Sequence, residues 1–247
     1  MTDPQFPAAR LTGRGLACRR GGRLVFAGLD LDLDPGELLV ITGANGSGKS
    51  SLLRLLAGLV RPAAGRLSWG DQDIAAGAGA FGDHAHYLGH ADGCKPTLTA
   101  VENLAFWVAL REGCDRHRAR RQALHGLAWQ GLDPIGDIAC RYLSAGQKKR
   151  VSLARLAASM APLWLLDEPT LGLDAVAIHR LTGAIEGHLA RGGLVIAATH
   201  VELGLRQARF FDLDAHRLDA HRAGLGGGAP DDDEPDDDEP DDDENAP

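Results

Sequence analysis

The 247-residue sequence has few cysteines, few aromatic residues and no long hydrophobic run. Its four cysteines lie far apart without a C-x-x-C pair, which excludes a zinc ribbon and a dithiol redox motif and favours a reducing compartment. No apolar run approaches the roughly 18 residues that a membrane helix needs, and Met1–Arg10 lacks the pattern of a signal peptide. We therefore expect a globular chain that reaches a membrane only through a partner.

The formal net charge of −8 comes from one end of the chain. Residues 231–244 contain 12 carboxylates, within three copies of Pro-Asp-Asp-Asp-Glu, so that 26 basic residues face 22 acidic ones in the rest. That slight basic excess gives no argument for nucleic-acid binding. Residues 224–247, glycine-rich and then acidic, are predicted to be disordered, as a solubilising or a regulatory tail.

The most informative stretch is a glycine-rich loop between the apolar run Leu38–Ile41 and a leucine-rich segment ending at Leu59. It fits the phosphate-binding P-loop pattern without a mismatch. The glycines allow tight turns, Lys49 offers a charge to the β and γ phosphates, Ser50 offers a hydroxyl to Mg²⁺, and the helix start attracts the anion. The predicted ATP-binding residues here are Gly43, Ala44, Asn45, Gly46, Ser47, Gly48, Lys49, Ser50 and Ser51.

A pair of acids follows a second apolar run, Leu163–Leu166. Asp167 could hold Mg²⁺ through water opposite Ser50, and Glu168 could orient and deprotonate an attacking water. Such a pair is more often a helix cap or part of a solvated loop. The P-loop upstream favours the catalytic interpretation, with Glu168 as the general base and Asp167 as a metal ligand.

Helices are predicted between these two motifs. Thr99 to Glu102 fits a capping box, and a second, arginine-rich helix is expected from about Asp115 to Trp129. The arginines at 116–121 fit either a solvated face or a patch for an acidic partner. In the first helix, Glu102 and Arg111 are expected to face water, and the inward side chains are predicted to be Val101, Leu104, Ala105, Val108 and Leu110.

Three further motifs follow: Leu143–Gln147 at the start of a helix, Asp174 as a helix cap, and His200 after the apolar strand Leu194–Thr199. With the P-loop and acid pair, in this order, they resemble the ATP-binding cassette (ABC) ATPases over residues 11–218. The resemblance implies an α/β P-loop NTPase fold with a RecA-like core, an N-terminal antiparallel β subdomain and an inserted α-helical signature subdomain. The expected division is an extension at 1–10, an ATPase domain at 11–223 with its helical insertion at about 91–160, and the tail at 224–247.

The same resemblance implies an ATPase that works as a head-to-tail homodimer around two ATP molecules. Ser144, Gly146 and Gln147 would reach the ATP of the opposite subunit, Asp174 would belong to the loop linking the two sites, and His200 would contact the γ-phosphate and position Glu168. Two positions depart from the common pattern. His90 stands where a metal-binding glutamine is usual, and Arg20 stands where most relatives stack an aromatic ring on adenine.

These departures, with Tyr87–Gly93 and Lys148-Lys149-Arg150, resemble the ATPase subunit of the cytochrome c maturation (haem exporter) system. That branch implies ATP and Mg²⁺, an integral membrane permease and other cytochrome c maturation membrane proteins as partners, and a peripheral place at the cytoplasmic face of the inner membrane. The driven step would be haem export or release of haem from a carrier. The alternatives are the ATPase of another exporter and a nucleotide-gated interaction module.

Two other sites are considered and disfavoured. His84, His86 and His90 could form a metal cluster, but they lack a fourth ligand or cysteine support. Cys94 could be a haem ligand, but the chain has no C-x-x-C-H motif, so we expect an ordinary thiol and no direct haem binding.

Overall fold

The structure is a computed structural model that describes residues 6–74, 82, 84–199, 204–205 and 207–216. Two sheets and a group of helices make up this part of the chain. His200, the acidic tail and nearly all of the predicted loop Ala75–Gly82 lie outside the described residues. The strands are β1 (Leu11–Arg20), β2 (Arg23–Leu33), β3 (Leu38–Thr42), β4 (Ala64–Trp69), β5 (Gln72–Asp73), β6 (Ala85–Leu88), β7 (Leu163–Asp167), β8 (Leu194–Ala198) and β9 (Ala208–Asp212). The helices are α1 (Lys49–Leu56), α2 (Ala100–Glu112), α3 (Arg116–Trp129), α4 (Ala145–Leu153), α5 (Arg155–Ala158) and α6 (Ala175–Ala190), with 3₁₀ turns at Asp133–Ile135 and Cys140–Tyr142.

The first sheet is antiparallel, in the order β2-β1-β4-β5. Alternation in β2 buries Leu29, Leu31 and Leu33 and turns the intervening aspartates outward, as period-2 patterning requires. The buried leucines pack with α1 and the central strands in one core. The predicted N-terminal antiparallel subdomain is therefore confirmed.

The second sheet is parallel, in the order β6-β7-β8-β3-β9. Every residue of β7 and β8 is buried, because the first core covers one face and α6 with α4 and α5 covers the other. In parallel strands the carboxyl ends share one edge, so the segments after β3, β7 and β8 meet there.

Four helices, α2 to α5, form the insertion between β6 and β7, around a core of their own. Thr99 begins α2 with the predicted capping box, and Asp115 caps α3 through the N–H groups of His117 and Arg118. The capping pattern and the insertion are thus confirmed. Within the described residues, no helix is both long and apolar enough to cross a lipid bilayer.

Two side chains of α2 differ from the prediction. Leu110, expected to face inward, is 66% exposed. Arg111, expected to face water, is half-buried and donates to the carbonyl oxygens of Met160, Gly82 and Ala85 at 3.2, 3.0 and 2.8 Å. The helical period of Val101, Leu104 and Val108 continues to Arg111 and not to Leu110, so the prediction followed the apolar character of Leu110 and the charge of Arg111 instead of the period. The last turn of α2 lies beside β6, whose Ala85 carbonyl group receives the half-buried guanidinium.

Candidate nucleotide-binding site

The sheet topology brings the P-loop and the acid pair to one edge. β8 lies between β3 and β7, and both Ile41 and Asp167 pair with Ala198, so they stand at the same level. With one strand between them, β3 and β7 are about 10 Å apart. The loop after β3 and the acids at the end of β7 therefore lie at the same edge of the sheet, on either side of β8.

The glycines of the P-loop are required by its backbone. Gly43, Gly46 and Gly48 have φ of 140°, 77° and 104°, which side-chain-bearing residues rarely adopt. A Cβ on Gly48 would collide with Val25 Cγ1, and one on Gly43 would lie 2.9 Å from Ser47 Oγ. Any larger residue at these two positions would deform the loop.

Lys49 is turned back onto the loop that it belongs to. The residue is only 8% exposed, and its ammonium donates to the carbonyl oxygens of Gly43 at 2.7 Å and Ala44 at 3.0 Å. Ser47 is fully buried, and its hydroxyl has no hydrogen-bond partner within the described residues. Ser50 and Ser51 follow, partly buried, in the first turn of α1. The loop is thus folded around its own lysine.

The two residues of the acid pair at the end of β7 differ in backbone conformation. Asp167 is 3% exposed, and no described residue offers a hydrogen bond to its Oδ2. Glu168 has φ of 44°, the only positive φ at a non-glycine position in the described chain, while its N–H still donates to Ala198 O at 2.8 Å. Left-handed backbone at a non-glycine residue costs ~1–3 kcal/mol and is concentrated at functional sites. The strand therefore keeps Asp167 inside and turns Glu168 away from it.

The residues Ser144 to Gln147 form a helix start of a different kind. Ser144 Oγ accepts the N–H of Gln147 at 3.2 Å, and Gln147 Oε1 accepts the N–H of Ser144 at 2.9 Å, which is a capping box. Ser144 remains exposed. A Cβ on Gly146 would lie 3.1 Å from the carbonyl oxygen of Gly172, so this helix start touches the turn before Asp174. Asp174 caps α6 by accepting the N–H of Ala177 at 2.7 Å, as predicted.

Three predicted site residues are not joined to this arrangement by a described contact. His90 is exposed in the loop after β6. Arg20 is exposed at the tip of the β1–β2 hairpin, close to Val25, which packs near Gly48. His200 lies outside the described residues. In the sequence it follows the end of β8 by two positions, and β8 is the strand between β3 and β7. Their roles remain predictions.

Lys149, which follows the motif at the start of α4, was not among the predicted site residues. Its side chain is 8% exposed; burial lowers the pKa of its ammonium, against the attraction of Asp92, Asp167 and Glu168. In the sequence it is one of three consecutive basic residues and is indistinguishable from a surface lysine. Only the packing of α4 against the core sets it apart.

The histidines considered as a metal cluster have separate neighbours. His86 is buried, with Nε2 at 3.0 Å from the Ser159 carbonyl oxygen, and burial lowers its pKa to about 3. The ring of His84 stacks on Trp69, with centroids 5.9 Å apart. Cys94 is partly buried, and burial raises the pKa of its thiol to about 12. That thiol is therefore protonated at neutral pH.

Comparison with known proteins agrees with this geometry. A family model described as "ABC transporter" matches residues 26–171, more than half of the chain. The chain belongs to the ABC transporter family. It is 51% identical over 211 residues to the cytochrome c biogenesis ATP-binding export protein CcmA of Rhodospirillum rubrum, covering 85% of this chain and 88% of that protein. The protein of the same name from Paramagnetospirillum magneticum is 46% identical over 214 residues, covering 87% and 96%. The chain is thus an ABC ATPase of the CcmA type, which binds and hydrolyses ATP.

Solved structures show the same fold. An ATP-binding subunit of an ABC transporter is 25% identical, with a TM-score of 0.73 over 84% of this chain and 86% of that one. A dimeric cassette in a post-hydrolysis state with ADP and Pi has a TM-score of 0.68, at 24% identity, over 77% and 88%. Together with the two sheets and the helical insertion, these likenesses confirm the ABC ATPase fold.

Proposed function

We propose that this ATPase serves c-type cytochrome biogenesis, where ATP hydrolysis drives haem export or the release of haem from a carrier protein. The observation that carries the proposal is the identity of 46–51% to two proteins named for cytochrome c biogenesis and export, over 85–87% of the chain. The ATPase part of the proposal rests in addition on the geometry of the P-loop and the acid pair.

The site suits a magnesium nucleotide. Asp167 Oδ2 is buried without a hydrogen-bond partner among the described residues, and a buried carboxylate oxygen needs a partner such as a cation or its water. Carboxylate and hydroxyl oxygens are ligands that Mg²⁺ prefers. Asp167 and Ser50 would hold the ion, with His90 as a third candidate, and Mg²⁺ would neutralise charge on the β and γ phosphates.

Other groups of the chain would do the remaining work at the γ-phosphate. Lys49 would exchange the carbonyl oxygens of Gly43 and Ala44 for phosphate oxygens, since a buried ammonium takes the strongest acceptors available. Glu168, whose backbone turns it out of the strand, would orient the attacking water and accept its proton. His200 would contact the same phosphate and steady that water.

We further propose a head-to-tail homodimer. The start of α4 is exposed and its carboxylate-free first turn presents backbone N–H groups, which suits phosphate oxygens. Ser144, Gly146 and Gln147 of one copy would then face the P-loop of the other, with Asp174 near the junction. Each ATP would lie between two chains.

Complementation between two inactive variants tests that dimer. Lys49→Ala removes the P-loop lysine, and Ser144→Arg blocks the start of α4. If each site is built from two chains, a mixed dimer regains one complete site, made of the P-loop of the Ser144→Arg chain and α4 of the Lys49→Ala chain. We expect ATPase activity to return when the two are co-expressed, and no return would contradict the composite site.

A groove between α2 and β6 is the proposed contact with a membrane subunit. It encloses about 370 Å³ and is bordered by the exposed side chains of Leu59, Trp107 and Leu110. Arg155 lines this groove, and its Cζ lies 4.2 Å from the centroid of the Trp107 ring. Its guanidinium donates to the carbonyl oxygens of Asp92 and Gly93, close to His90 in the sequence. An apolar cytoplasmic helix of an integral membrane permease would fit there and would be in contact with the loop that carries His90.

Co-purification identifies that partner. The chain, tagged at its N-terminus and purified from solubilised inner membranes, is expected to retain an integral membrane permease and other cytochrome c maturation membrane proteins, which would place it at the cytoplasmic face. Leu110→Glu should release them while ATP binding is retained. Recovery with an unrelated exporter would support the first alternative. Recovery without any membrane protein would support a nucleotide-gated interaction module.

A further inference from the structure

An acid near the end of the described chain contacts the P-loop. Asp214 Oδ2 accepts the backbone N–H of Ala44 at 2.7 Å, although the two residues are 170 positions apart. A bond to an ionised carboxylate is shorter and stronger than one between neutral groups. Asp214 belongs to none of the motifs that the sequence offers, so only the folded chain connects it with the nucleotide site.

The neighbouring backbone holds Asp214 in place. β9 pairs in parallel with β3, with Thr42 opposite Asp212, and Leu213 continues the ladder by donating its N–H to Thr42 O at 3.0 Å. Leu213 is fully buried, and the N–H of Asp214 donates to Asp212 Oδ1 at 3.0 Å. A buried anchor and a closed turn therefore aim the carboxylate at the loop that leaves β3.

On the loop side, the same short segment holds the lysine. The carbonyl oxygens of Gly43 and Ala44 accept the ammonium of Lys49, while the N–H of Ala44 is bound by Asp214. A Cβ on Gly43 would lie 3.4 Å from Asp214 Oδ2, which is van der Waals contact, so the carboxylate packs directly against Gly43. The orientation of the Gly43–Ala44 peptide thus depends on Asp214, and the place of Lys49 depends on that peptide.

We propose that Asp214 is a positioning residue of the nucleotide site, which fixes the first turn of the P-loop and through it the resting place of Lys49. It touches neither phosphate nor the reacting water, and it acts by limiting the conformations that the loop must lose when nucleotide binds. Preorganisation of this kind raises affinity without adding a contact to the ligand. The inference rests on ATP binding, and it is independent of the membrane partner and the transported substrate.

The test is nucleotide affinity of the full chain with Asp214→Ala, measured by titration calorimetry with ADP and Mg²⁺. We expect a dissociation constant about tenfold higher, equivalent to ~1.4 kcal/mol. The KM for ATP should rise with it, while kcat at saturating ATP falls by a smaller factor. Asp214→Asn keeps an acceptor oxygen of the same reach and should restore most of the affinity. Glu186→Ala, which removes an exposed acid of α6, is the charge-matched control and should bind as the unmodified chain does.

Unchanged affinity and KM in Asp214→Ala would overturn the proposal. So would a decrease in kcat as large as the increase in KM, because that would place Asp214 in the chemical step. If Asp214→Ala does not fold, Asp214→Ser supplies a polar side chain that is too short to bond the N–H of Ala44. Weakened ADP binding is again expected. A neutral acceptor keeps part of the strength of the bond to Ala44, so an ADP affinity of Asp214→Asn no better than that of Asp214→Ala would also contradict the proposed role. ADP binding needs no membrane subunit, so these outcomes leave the proposed partner untouched.

Discussion

The starts of α1 and α4 both carry a serine, yet they are built in opposite ways. α1 has no side-chain cap, its preceding loop is bent by glycines, and Lys49 and Ser47 are buried under it. α4 begins with a reciprocal capping box and leaves Ser144 exposed. The start of α1 is proposed to hold a ligand within the chain, whereas the start of α4 has two of its N–H groups satisfied by the capping box and faces outward.

This contrast fits the proposed head-to-tail dimer, in which each chain contributes a different half to each of two sites. A loop that wraps an anion must leave its N–H groups free and be supported from behind, as Val25 and Asp214 support the P-loop. A surface that meets a second copy must be rigid before contact, which the capping box provides. Variants at the two helix starts and at the acid pair test this contrast.

Lys49→Ala should have the largest effect, because it removes the cation around which the P-loop is folded. We expect loss of measurable ATP binding by calorimetry, with a thermal unfolding temperature close to that of the unmodified chain. Lys148→Ala, a change at a partly exposed lysine of α4, is the matched control and should bind ATP normally. Unchanged ATP affinity in Lys49→Ala would overturn the P-loop assignment.

Glu168→Gln should reduce turnover by ~10²–10⁴-fold, the usual cost of losing a general base. Glutamine keeps the shape of the side chain, so ATP binding should persist and an ATP-bound dimer should accumulate. Steady-state ATPase rates and size-exclusion chromatography with ATP measure both effects. Near-normal turnover would show that Glu168 is not the base and would leave its left-handed backbone unexplained.

Ser144→Ala distinguishes the two helix starts most directly. Loss of the N-cap should destabilise the protein by ~1 kcal/mol, seen as a lower midpoint in urea. Nucleotide affinity of the isolated chain should not change, because its own P-loop is intact, whereas turnover should fall. A loss of affinity equal to that of a P-loop variant would mean that both helix starts serve the same ATP within one chain. Thr99→Ala removes the other capping box, that of α2, and controls for the stability effect alone.

The last prediction concerns pH and two buried histidines away from both helix starts. Burial lowers the pKa of His86 to about 3 and that of His188 to about 4, below the value of about 6.5 in an unfolded chain. Both rings are therefore neutral in the folded state, and the unfolded chain binds more protons as the pH falls below about 6.5. Stability is fully present above that pH and is lost on acidification towards 4, by about 1.4 kcal/mol per pH unit for each histidine.

Urea unfolding between pH 7 and 4.5 measures that slope. His188→Gln keeps a donor for the Pro162 carbonyl oxygen, 3.1 Å from Nε2, and should remove one histidine's share of the slope. His117→Gln, a change at an exposed histidine of α3, should leave the slope as it is. The same slope in His188→Gln and the unmodified chain would contradict a neutral buried His188.

Much of the fold could be predicted from the sequence because its signals are local. Alternation of leucine and aspartate sufficed for β2, and Thr99 and Glu102 sufficed for the start of α2, since each depends on neighbours within a few residues. The predicted faces at the end of α2 were wrong because residue type was given more weight than the helical period. The period places Arg111 inward, and its guanidinium finds a carbonyl acceptor at the edge strand β6, 26 residues earlier.

The sequence by itself determined the P-loop, the acid pair and the helix start at Ser144, because phosphate binding demands particular residues at fixed spacing along the chain. The tertiary structure was needed to show that Asp167 lies level with Ile41 and that Lys149 is buried near the acid pair. It also shows that Asp214, two residues after β9, accepts the N–H of Ala44 in the P-loop, 170 positions away. The reason is physical. Contacts between distant segments follow from strand order and packing, and neither leaves a periodic mark on the residues that make them.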